Sequence, residues 1–277
     1  MVAFGQRLDA AMAQRGSLCV GIDPHPALLQ AWGLPVSVSG LARFADICVD
    51  AFAGRVAVVK PQSAFFEVYG SAGIAVLEST VAASRAAGAL VVLDVKRGDI
   101  GTTMSAYAEA YLSPAAPLAA DAITLSPFLG VGSLEPAFER ASRYGAGVFV
   151  LALTSNPEGA SIQSARDAQG RSVAQSVIDE LSAGNADARP FGSFGIVIGA
   201  TIAPGVDVRL DGLNGPFLVP GIGAQGGTPE DVRRIFGPAL AQVLPSVSRA
   251  VLSAGPDVAA LHAALERQVD AFTFLRP

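Results

Sequence analysis

The chain has 277 residues, of which 51% are hydrophobic and 16% are charged, and this composition excludes a disordered protein. The formal net charge of −5 argues against non-specific nucleic-acid binding, although a few focused cations would still hold a small anionic ligand. No uninterrupted apolar stretch reaches the roughly 18 residues that a membrane span needs. The first residues are typical of an amphipathic helix and not of a signal peptide. We therefore expect a soluble, cytoplasmic protein.

Eight short apolar runs alternate with helical patterns along the chain. The runs are continuous and are bounded by Gly, Asp, Pro or Lys, as expected for strands that are buried on both faces. Strands that alternate with helices pair in parallel through right-handed crossovers. The eight predicted strands are Leu18–Ile22, Val56–Val59, Leu90–Leu93, Ala122–Leu125, Val148–Leu153, Ile196–Ile198, Phe217–Val219 and Val243–Val247.

Three helices carry clear sequence signals. Apolar residues recur at helical spacing over Gly73–Ala87. Thr228, followed by Pro229 and two acids, predicts a capped helix start. Ser133 is predicted to cap another helix, whose inward-facing residues are Leu134, Phe138 and Ala141.

These units predict a (β/α)₈ barrel that forms a single domain over residues 1–277. An open doubly wound sheet is the alternative, but its GxGxxG fingerprint is absent after the first strand, where GIDPHP stands instead. A longer fifth connection, around residues 155–195, contains one helical pattern. It is interpreted either as a functional lid or as a surface insertion.

Polar residues follow the predicted strands where each strand ends. Asp23, Lys60, Asp94 and Ser126 end the first four runs, and the segment 154–156 ends the fifth. In a parallel barrel these ends share one rim, where the catalytic residues of barrel enzymes gather. A single charge at such a place is usually a solvated loop residue, but three charges on successive strands favour a site.

The third strand end carries the densest charge pattern. Asp94 and Lys96 are two residues apart, so an extended backbone projects both to the same face. Asp99 follows a glycine that allows the chain to turn. Each carboxylate favours a protonated lysine, and such a lysine can deliver a proton to a developing carbanion. A structural ion pair at the barrel mouth is the alternative interpretation.

The segment PGIGAQGG at 220–227 predicts a phosphate site. Its four glycines allow backbone N–H groups to approach an anion, and a helix start follows. Gln225 can donate an amide hydrogen bond, and Arg249 can offer a bidentate fork to phosphate oxygens. Pro245 is unfavourable inside a central strand, which leaves the limits of the eighth strand open.

The sequence assigns no chemical role to the two cysteines and the two histidines. Cys19 and Cys48 lie in apolar sequence without a CxxC pair, so they are predicted to be buried small hydrophobes and not disulfide or zinc ligands. His25 stands between prolines, and His262 falls in a C-terminal helical pattern.

Taken with their order, these motifs resemble the orotidine 5′-phosphate decarboxylase family, in its longer branch. The resemblance covers nearly the whole chain. It is carried by Asp23, Lys60 in VVKPQ, DVKRGDIGTT at 94–103, TSNPEGA at 154–160, IGAT at 198–201, PGIGAQGG and the pair Ser248-Arg249. It implies a (β/α)₈ barrel that decarboxylates orotidine 5′-monophosphate to uridine 5′-monophosphate without a metal or other cofactor.

The resemblance also implies a role for each residue. Lys96 protonates C6 of the pyrimidine, Asp94 lies beside the departing carboxylate, and Lys60 bridges the carboxylates and a ribose hydroxyl. Asp99 and Thr103 reach into the site of the other subunit of a homodimer. The remaining substrate contacts are Asp23 to the ribose, Ser155 to the ring, and Gln225, Gly226 and Arg249 at the phosphate.

Two other functions remain open from the sequence. Keto-sugar-phosphate decarboxylases and hexulose-phosphate synthases use a similar Asp-Lys-Asp segment but hold magnesium. A non-catalytic barrel that binds a phosphorylated ligand is the third possibility. The role of Arg97, between the charged residues, is not assigned.

Overall fold

The computed structural model describes residues 1–202 and 208–276. Within them, eight strands form one closed barrel in which every neighbouring pair is parallel. The sheet closes where β1 pairs with β8, with Cys19 beside Ser246 and Val20 beside Val247. This confirms the predicted (β/α)₈ barrel, and closure rules out the open sheet. The strands are β1 Cys19–Ile22, β2 Val58–Pro61, β3 Leu90–Arg97, β4 Ala122–Leu125, β5 Gly147–Leu153, β6 Phe194–Ile198, β7 Phe217–Val219 and β8 Val243–Val247.

Helices surround the barrel and fill the connections between its strands. They are α1 Phe4–Arg15, α2 Pro26–Ala31, α3 Val38–Phe52, α4 Ala64–Glu67, α5 Gly70–Ala86, α6 Gly101–Leu112, α7 Glu135–Tyr144, α8 Ala160–Gln163, α9 Val173–Asn185, α10 Pro229–Phe236, α11 Arg249–Leu252 and α12 Val258–Ala271. Within residues 1–202 and 208–276, no helix has both the length and the apolar composition needed to cross a membrane.

Two hydrophobic layers hold this arrangement together. Alternate strand residues such as Val92, Phe149 and Leu218 fill the barrel interior, and their neighbours form the larger core between the sheet and the helices. The helix α1 closes the N-terminal end of the barrel, where the Phe4 ring meets Phe149 edge to face at 6.0 Å between centroids. A Cβ at Gly147 would overlap the Phe4 ring, so glycine is required there.

Helix capping follows the sequence prediction at one position and departs from it at another. Thr228 and Asp231 form a reciprocal capping box at the start of α10. Ser133 does not cap α7, so that prediction is wrong: Ser133 lies inside a 3₁₀ turn over Val131–Leu134, and its hydroxyl donates to the Gly130 carbonyl. Leu134, Phe138 and Ala141 are buried as predicted.

The two cysteines and Pro245 also have definite places in the fold. Cys19 and Cys48 are free and fully buried, as predicted, and burial raises the pKa of the Cys19 thiol to about 12. Pro245 lies in the middle of β8, opposite Val219 of β7. Pro245 does not end the strand, which continues to Val247, and Arg249 follows two residues after that end.

Candidate active site

A cavity of about 740 Å³ opens at the C-terminal ends of the strands. Seven of the ten residues that the sequence predicted for the site line this cavity. They are Asp23, Lys60, Asp94, Lys96, Ser155, Gln225 and Arg249. Parallel strands bring them together because each residue lies near the C-terminal end of its strand or in the loop that follows it.

The floor of the cavity holds one aspartate between two lysines. Lys60 Nζ donates to Asp94 Oδ2 at 2.8 Å, and Lys96 Nζ donates to Asp94 Oδ1 at 2.6 Å. The side chains of Lys60 and Asp94 are only 9% and 8% exposed, whereas that of Lys96 is 45% exposed. Lys96 is therefore the cation of this cluster that is open to a ligand.

Burial and charge act against each other on the two inner groups. Burial alone would raise the pKa of Asp94, but Lys60 and Lys96 outweigh it and hold that pKa well below its ordinary range. Burial alone would lower the pKa of Lys60, but Asp94 and then Asp23 outweigh it and raise that pKa. Both groups are therefore charged at neutral pH before any ligand enters.

The backbone of β3 is irregular at this point. The pairing with β4 shifts between Leu93 and Arg97, and Lys96 takes a left-handed conformation with φ 45°. The expected convergence of Asp94 and Lys96 is observed, but a bulge produces it and not a regular strand. The strand also continues to Arg97, beyond the predicted end at Leu93.

Thr124 is a buried site residue that the sequence reasoning missed. Its hydroxyl donates to Asp94 Oδ1 at 2.8 Å and accepts from the backbone N–H groups of Val95 and Lys96. The sequence reasoning pointed to Ser126, which does not line the cavity. The available signal was Thr124 itself, a polar residue inside an otherwise apolar run and two residues before the strand-end serine.

A second signal in the sequence was also missed. Lys60 and Lys96 are the only lysines of the chain, and its other basic side chains, apart from two histidines, are arginines. Lysine can release its proton in a protein, whereas arginine stays protonated. Both lysines of the protein therefore line the same cavity, where each could take part in a proton transfer.

Two oxygen atoms at the cavity wall have no hydrogen-bond partner within the described residues. They are Asp23 Oδ1, after β1, and Ser248 Oγ, after β8. A buried polar atom without a partner is costly unless a ligand or water satisfies it. Asp23 can accept from a ligand hydroxyl, and Ser248, which received no role from the sequence, can donate or accept.

The loop 220–227 contributes Pro220, Gly221, Ile222, Ala224 and Gln225 to the cavity wall. Gly221 and Gly226 have φ of 93° and 90°, which other residues rarely adopt. The N–H of Gly226 donates to the Gly223 carbonyl, and Gly226 does not line the cavity. Gln225 does, and Ser155 Oγ lies 3.4 Å from its Oε1. Arg249 lines the same end, and within residues 1–202 and 208–276 it forms no ion pair.

Asp99 and Thr103 do not line the cavity of their own chain. Asp99 Oδ1 accepts from the N–H of Ile100 just before α6, and Thr103 is exposed on the first turn of that helix. Ile100, between them, is an exposed apolar residue. These residues therefore lie outside the cavity of their own chain.

Arg97 and His25, whose roles the sequence left unassigned, also have clear places. Arg97 lies outside the cavity, where it donates to Glu67 of α4 at 2.7 Å and to the Tyr111 hydroxyl of α6. His25 lines the cavity and caps α2, with its Nδ1 accepting from the N–H of Ala27 at 3.2 Å.

This fold and this site define a (β/α)₈-barrel enzyme with a lysine–aspartate–lysine cluster on the floor of its cavity. Comparison with known proteins adds the family. The model of the orotidine 5′-phosphate decarboxylase / HUMPS family matches residues 16–264, and the chain belongs to that family.

Individual relatives agree over nearly the full length. The orotidine 5′-phosphate decarboxylases of Salinispora arenicola and Streptomyces coelicolor are 63% and 59% identical to this chain, each over 96% of both chains. A crystal structure of a protein from Streptomyces avermitilis, provisionally named orotidine 5′-phosphate decarboxylase, is 56% identical with a TM-score of 0.96 and covers 99% of this chain and 96% of that one. The Leishmania donovani OMP decarboxylase is 30% identical, with a TM-score of 0.77 and coverage of 99% and 100%.

Proposed function

We propose that this protein decarboxylates orotidine 5′-monophosphate to uridine 5′-monophosphate, the last step of de novo pyrimidine nucleotide synthesis. The observation that carries the proposal is the Lys60–Asp94–Lys96 cluster at the cavity floor. The names of the full-length relatives support the choice of substrate. A cytoplasmic location belongs to the same proposal, since two buried free cysteines suit a reducing compartment, and cell fractionation tests it.

In the proposed reaction, the bond between C6 and the carboxylate breaks and its electron pair stays on C6. Carbon dioxide leaves, and Lys96 Nζ transfers a proton to C6; the neutral amine then regains a proton from water. The ammonium is already fixed by Asp94 at 2.6 Å, so it stabilises the developing negative charge without reorganisation. Asp94 lies beside the departing carboxylate, and Lys60 keeps Asp94 ionised and contacts a ribose hydroxyl.

The remaining cavity residues bind the nucleotide in this proposal. Asp23 accepts from a ribose hydroxyl, which its unpartnered Oδ1 supports. Ser155 binds the pyrimidine ring, and Gln225 with Arg249 binds the phosphate. Gly226 acts through the shape of the phosphate loop, because its own N–H is already bonded within that loop. Binding energy at the remote phosphate positions the ring over Lys96.

We also propose a homodimer in which Asp99 and Thr103 complete the site of the partner subunit. Both residues lie outside their own cavity, on an edge that exposes Ile100, Phe128 and Leu129 from the loops after β3 and β4. Exposed apolar side chains on neighbouring loops favour burial against another chain. A mixture of K96A and D99A chains tests this, because random re-pairing restores about a quarter of the wild-type sites. Strictly additive residual activities in that mixture would contradict a shared site.

The decisive experiment follows the absorbance of orotidine 5′-monophosphate with and without a chelator. The proposal predicts loss of the substrate band, release of carbon dioxide and no effect of the chelator. Loss of activity with the chelator would indicate a magnesium-dependent sugar-phosphate enzyme. Binding of uridine 5′-monophosphate without any turnover would indicate a non-catalytic barrel. K96A is the control variant, since it keeps the cavity but lacks the proton donor.

A further inference from the structure

Thr124 lies on the floor of the cavity and has no role in the reaction described above. We propose that Thr124 is a positioning residue, whose hydroxyl fixes both the backbone of Lys96 and the carboxylate of Asp94. It thereby aims the Lys96 ammonium at the reacting carbon. This inference rests on the proposed decarboxylation.

The first contribution of Thr124 is to the backbone of the β3 bulge. Leu93 pairs with Ile123 and Arg97 pairs with Leu125, so three residues of β3 face Thr124 alone. The bulge leaves the N–H groups of Val95 and Lys96 facing a side chain, and Thr124 Oγ1 accepts both, at 3.0 and 2.9 Å. A left-handed lysine at φ 45° is unfavourable by itself, so these two bonds hold Lys96 in a conformation that it would otherwise leave.

The second contribution is to the carboxylate. With both lone pairs engaged by N–H groups, the Thr124 hydroxyl has its single proton free to donate, and it donates to Asp94 Oδ1 at 2.8 Å. The same oxygen accepts from Lys96 Nζ. Thr124 therefore holds Lys96 at both ends, directly at the backbone and through Asp94 at the ammonium.

The geometry requires the hydroxyl and not merely a side chain of this size. Thr124 is fully buried in the protein and yet lines the cavity, and its hydroxyl makes all three possible bonds. Valine would fill the same volume and leave two N–H groups and one carboxylate oxygen without this partner. Serine would keep the hydroxyl. The two substitutions therefore separate positioning from packing.

The experiment compares Thr124→Val and Thr124→Ser with Thr80→Val. Thr80 is an equally buried threonine of α5, whose hydroxyl donates to the Val76 carbonyl away from the cavity. We expect T124V to lower kcat about 10- to 100-fold, while KM and the affinity for uridine 5′-monophosphate stay within about threefold. T124S is expected to restore most of kcat, and T80V to leave it unchanged. T124A is a second variant for use if T124V does not fold.

Lysine-selective isotope labelling gives a readout that packing alone would not move. Because Lys60 and Lys96 are the only lysines of the chain, the NMR spectrum of the lysine-labelled protein contains signals from the site alone. We expect T124V to shift the side-chain resonances of Lys96 without ligand, and T80V to leave them unchanged.

Unchanged kcat in T124V would overturn the inference. So would a loss of kcat matched by an equal loss of uridine 5′-monophosphate affinity in T124V, because that pattern indicates general damage. Absence of turnover in the wild type would instead contradict the proposed function, and the NMR comparison would still test whether Thr124 positions Lys96.

Discussion

Asp121 and Asp94 occupy opposite ends of the barrel, and each is a buried carboxylate bonded to cationic side chains. At the N-terminal end, Asp121 accepts from Arg7 at 2.5 Å and from the N–H of Val91 at 2.9 Å, with its side chain 4% exposed. At the C-terminal end, Asp94 accepts from Lys60 and Lys96 on the floor of a cavity. The burial of the carboxylate is thus nearly the same at both ends.

The difference lies in the cations. Arg7 belongs to α1 and fastens that helix to the closed end of the barrel, and it also donates to the Gly145 carbonyl. Lys96 has Asp94 as its ion-pair partner within the described residues and faces the cavity. Arginine cannot give up its proton in a protein, whereas lysine can. A buried ion pair therefore indicates a reactive site only when its cation can lose a proton and reach a ligand.

The largest expected effect comes from Lys96→Ala. Removal of the proposed proton donor is expected to lower kcat at least about 10³-fold. Folding is expected to survive, because the Lys96 side chain is 45% exposed and Asp94 keeps Lys60 and Thr124 as partners. The absorbance assay measures kcat, and urea unfolding measures stability. Near-normal turnover in this variant would refute the proposed role.

The matching change at the closed end is Asp121→Ala. It leaves the N–H of Val91 without its acceptor and Arg7 without its anion, and we expect the free energy of unfolding to fall by about 2–3 kcal/mol. This loss is at the lower end of the range for a broken buried ion pair, because Arg7 is 30% exposed and water can solvate its guanidinium. The turnover of the molecules that remain folded should be unchanged. A large fall in kcat per folded molecule would contradict the view that the Asp121 end serves stability and the Asp94 end serves the reaction.

The fold could be predicted from the sequence because its strands are buried on both faces. All eight apolar runs correspond to strands, and even the run that contains Pro245 is a strand. The predictions failed where the local backbone is irregular. Ser133 falls inside a 3₁₀ turn, and β3 runs four residues further than predicted, through its bulge. Such irregularities depend on neighbouring strands, and a periodic pattern does not encode them.

The charged part of the site was predictable for the same reason. Asp23, Lys60, Asp94 and Lys96 lie at or near the C-terminal ends of their strands, and a parallel barrel brings those ends together. Thr124 was missed because its importance arises from a bulge in the neighbouring strand. The position of Gly226 was also beyond the sequence pattern, since the internal hydrogen bonds of its loop decide which N–H groups face the cavity.

The charges of Asp94 and Lys60 also determine how the stability of the folded protein depends on pH. The pKa of folded Asp94 is lowered, so its contribution is present above its unfolded value near pH 4 and lost as the pH falls towards the folded value. The pKa of folded Lys60 is raised, so its contribution is present below about pH 10 and lost as the pH rises through the folded value. Asp94 and Lys60 should therefore add no pH dependence to stability between about pH 5 and 9.

Asp94→Asn is the variant that tests this window. Without Asp94, burial is the largest remaining influence on the Lys60 pKa, and Asp23 is the main group that opposes it. We expect burial to prevail and lower that pKa, so that the folded state binds fewer protons than the unfolded state. Stability should then rise between pH 7 and 9 in the variant but not in the wild type. Urea unfolding at both pH values measures the difference. Equal slopes in the two proteins would show that Asp94 does not stabilise the Lys60 charge.

The smallest effect is expected from Arg97→Ala, just outside the cavity. Arg97 links α4 to α6 through Glu67 and Tyr111, and its side chain is 29% exposed. We expect the free energy of unfolding to fall by about 1 kcal/mol, while kcat stays within about threefold. Arg140→Ala is the matched control, because Arg140 of α7 pairs with Glu109 of α6, which is more exposed than Glu67, and it should cost less than about 0.5 kcal/mol. A fall in kcat of tenfold or more in the Arg97 variant alone would extend the reactive end of the barrel beyond its cavity, because Arg97 directly follows Lys96 in the chain.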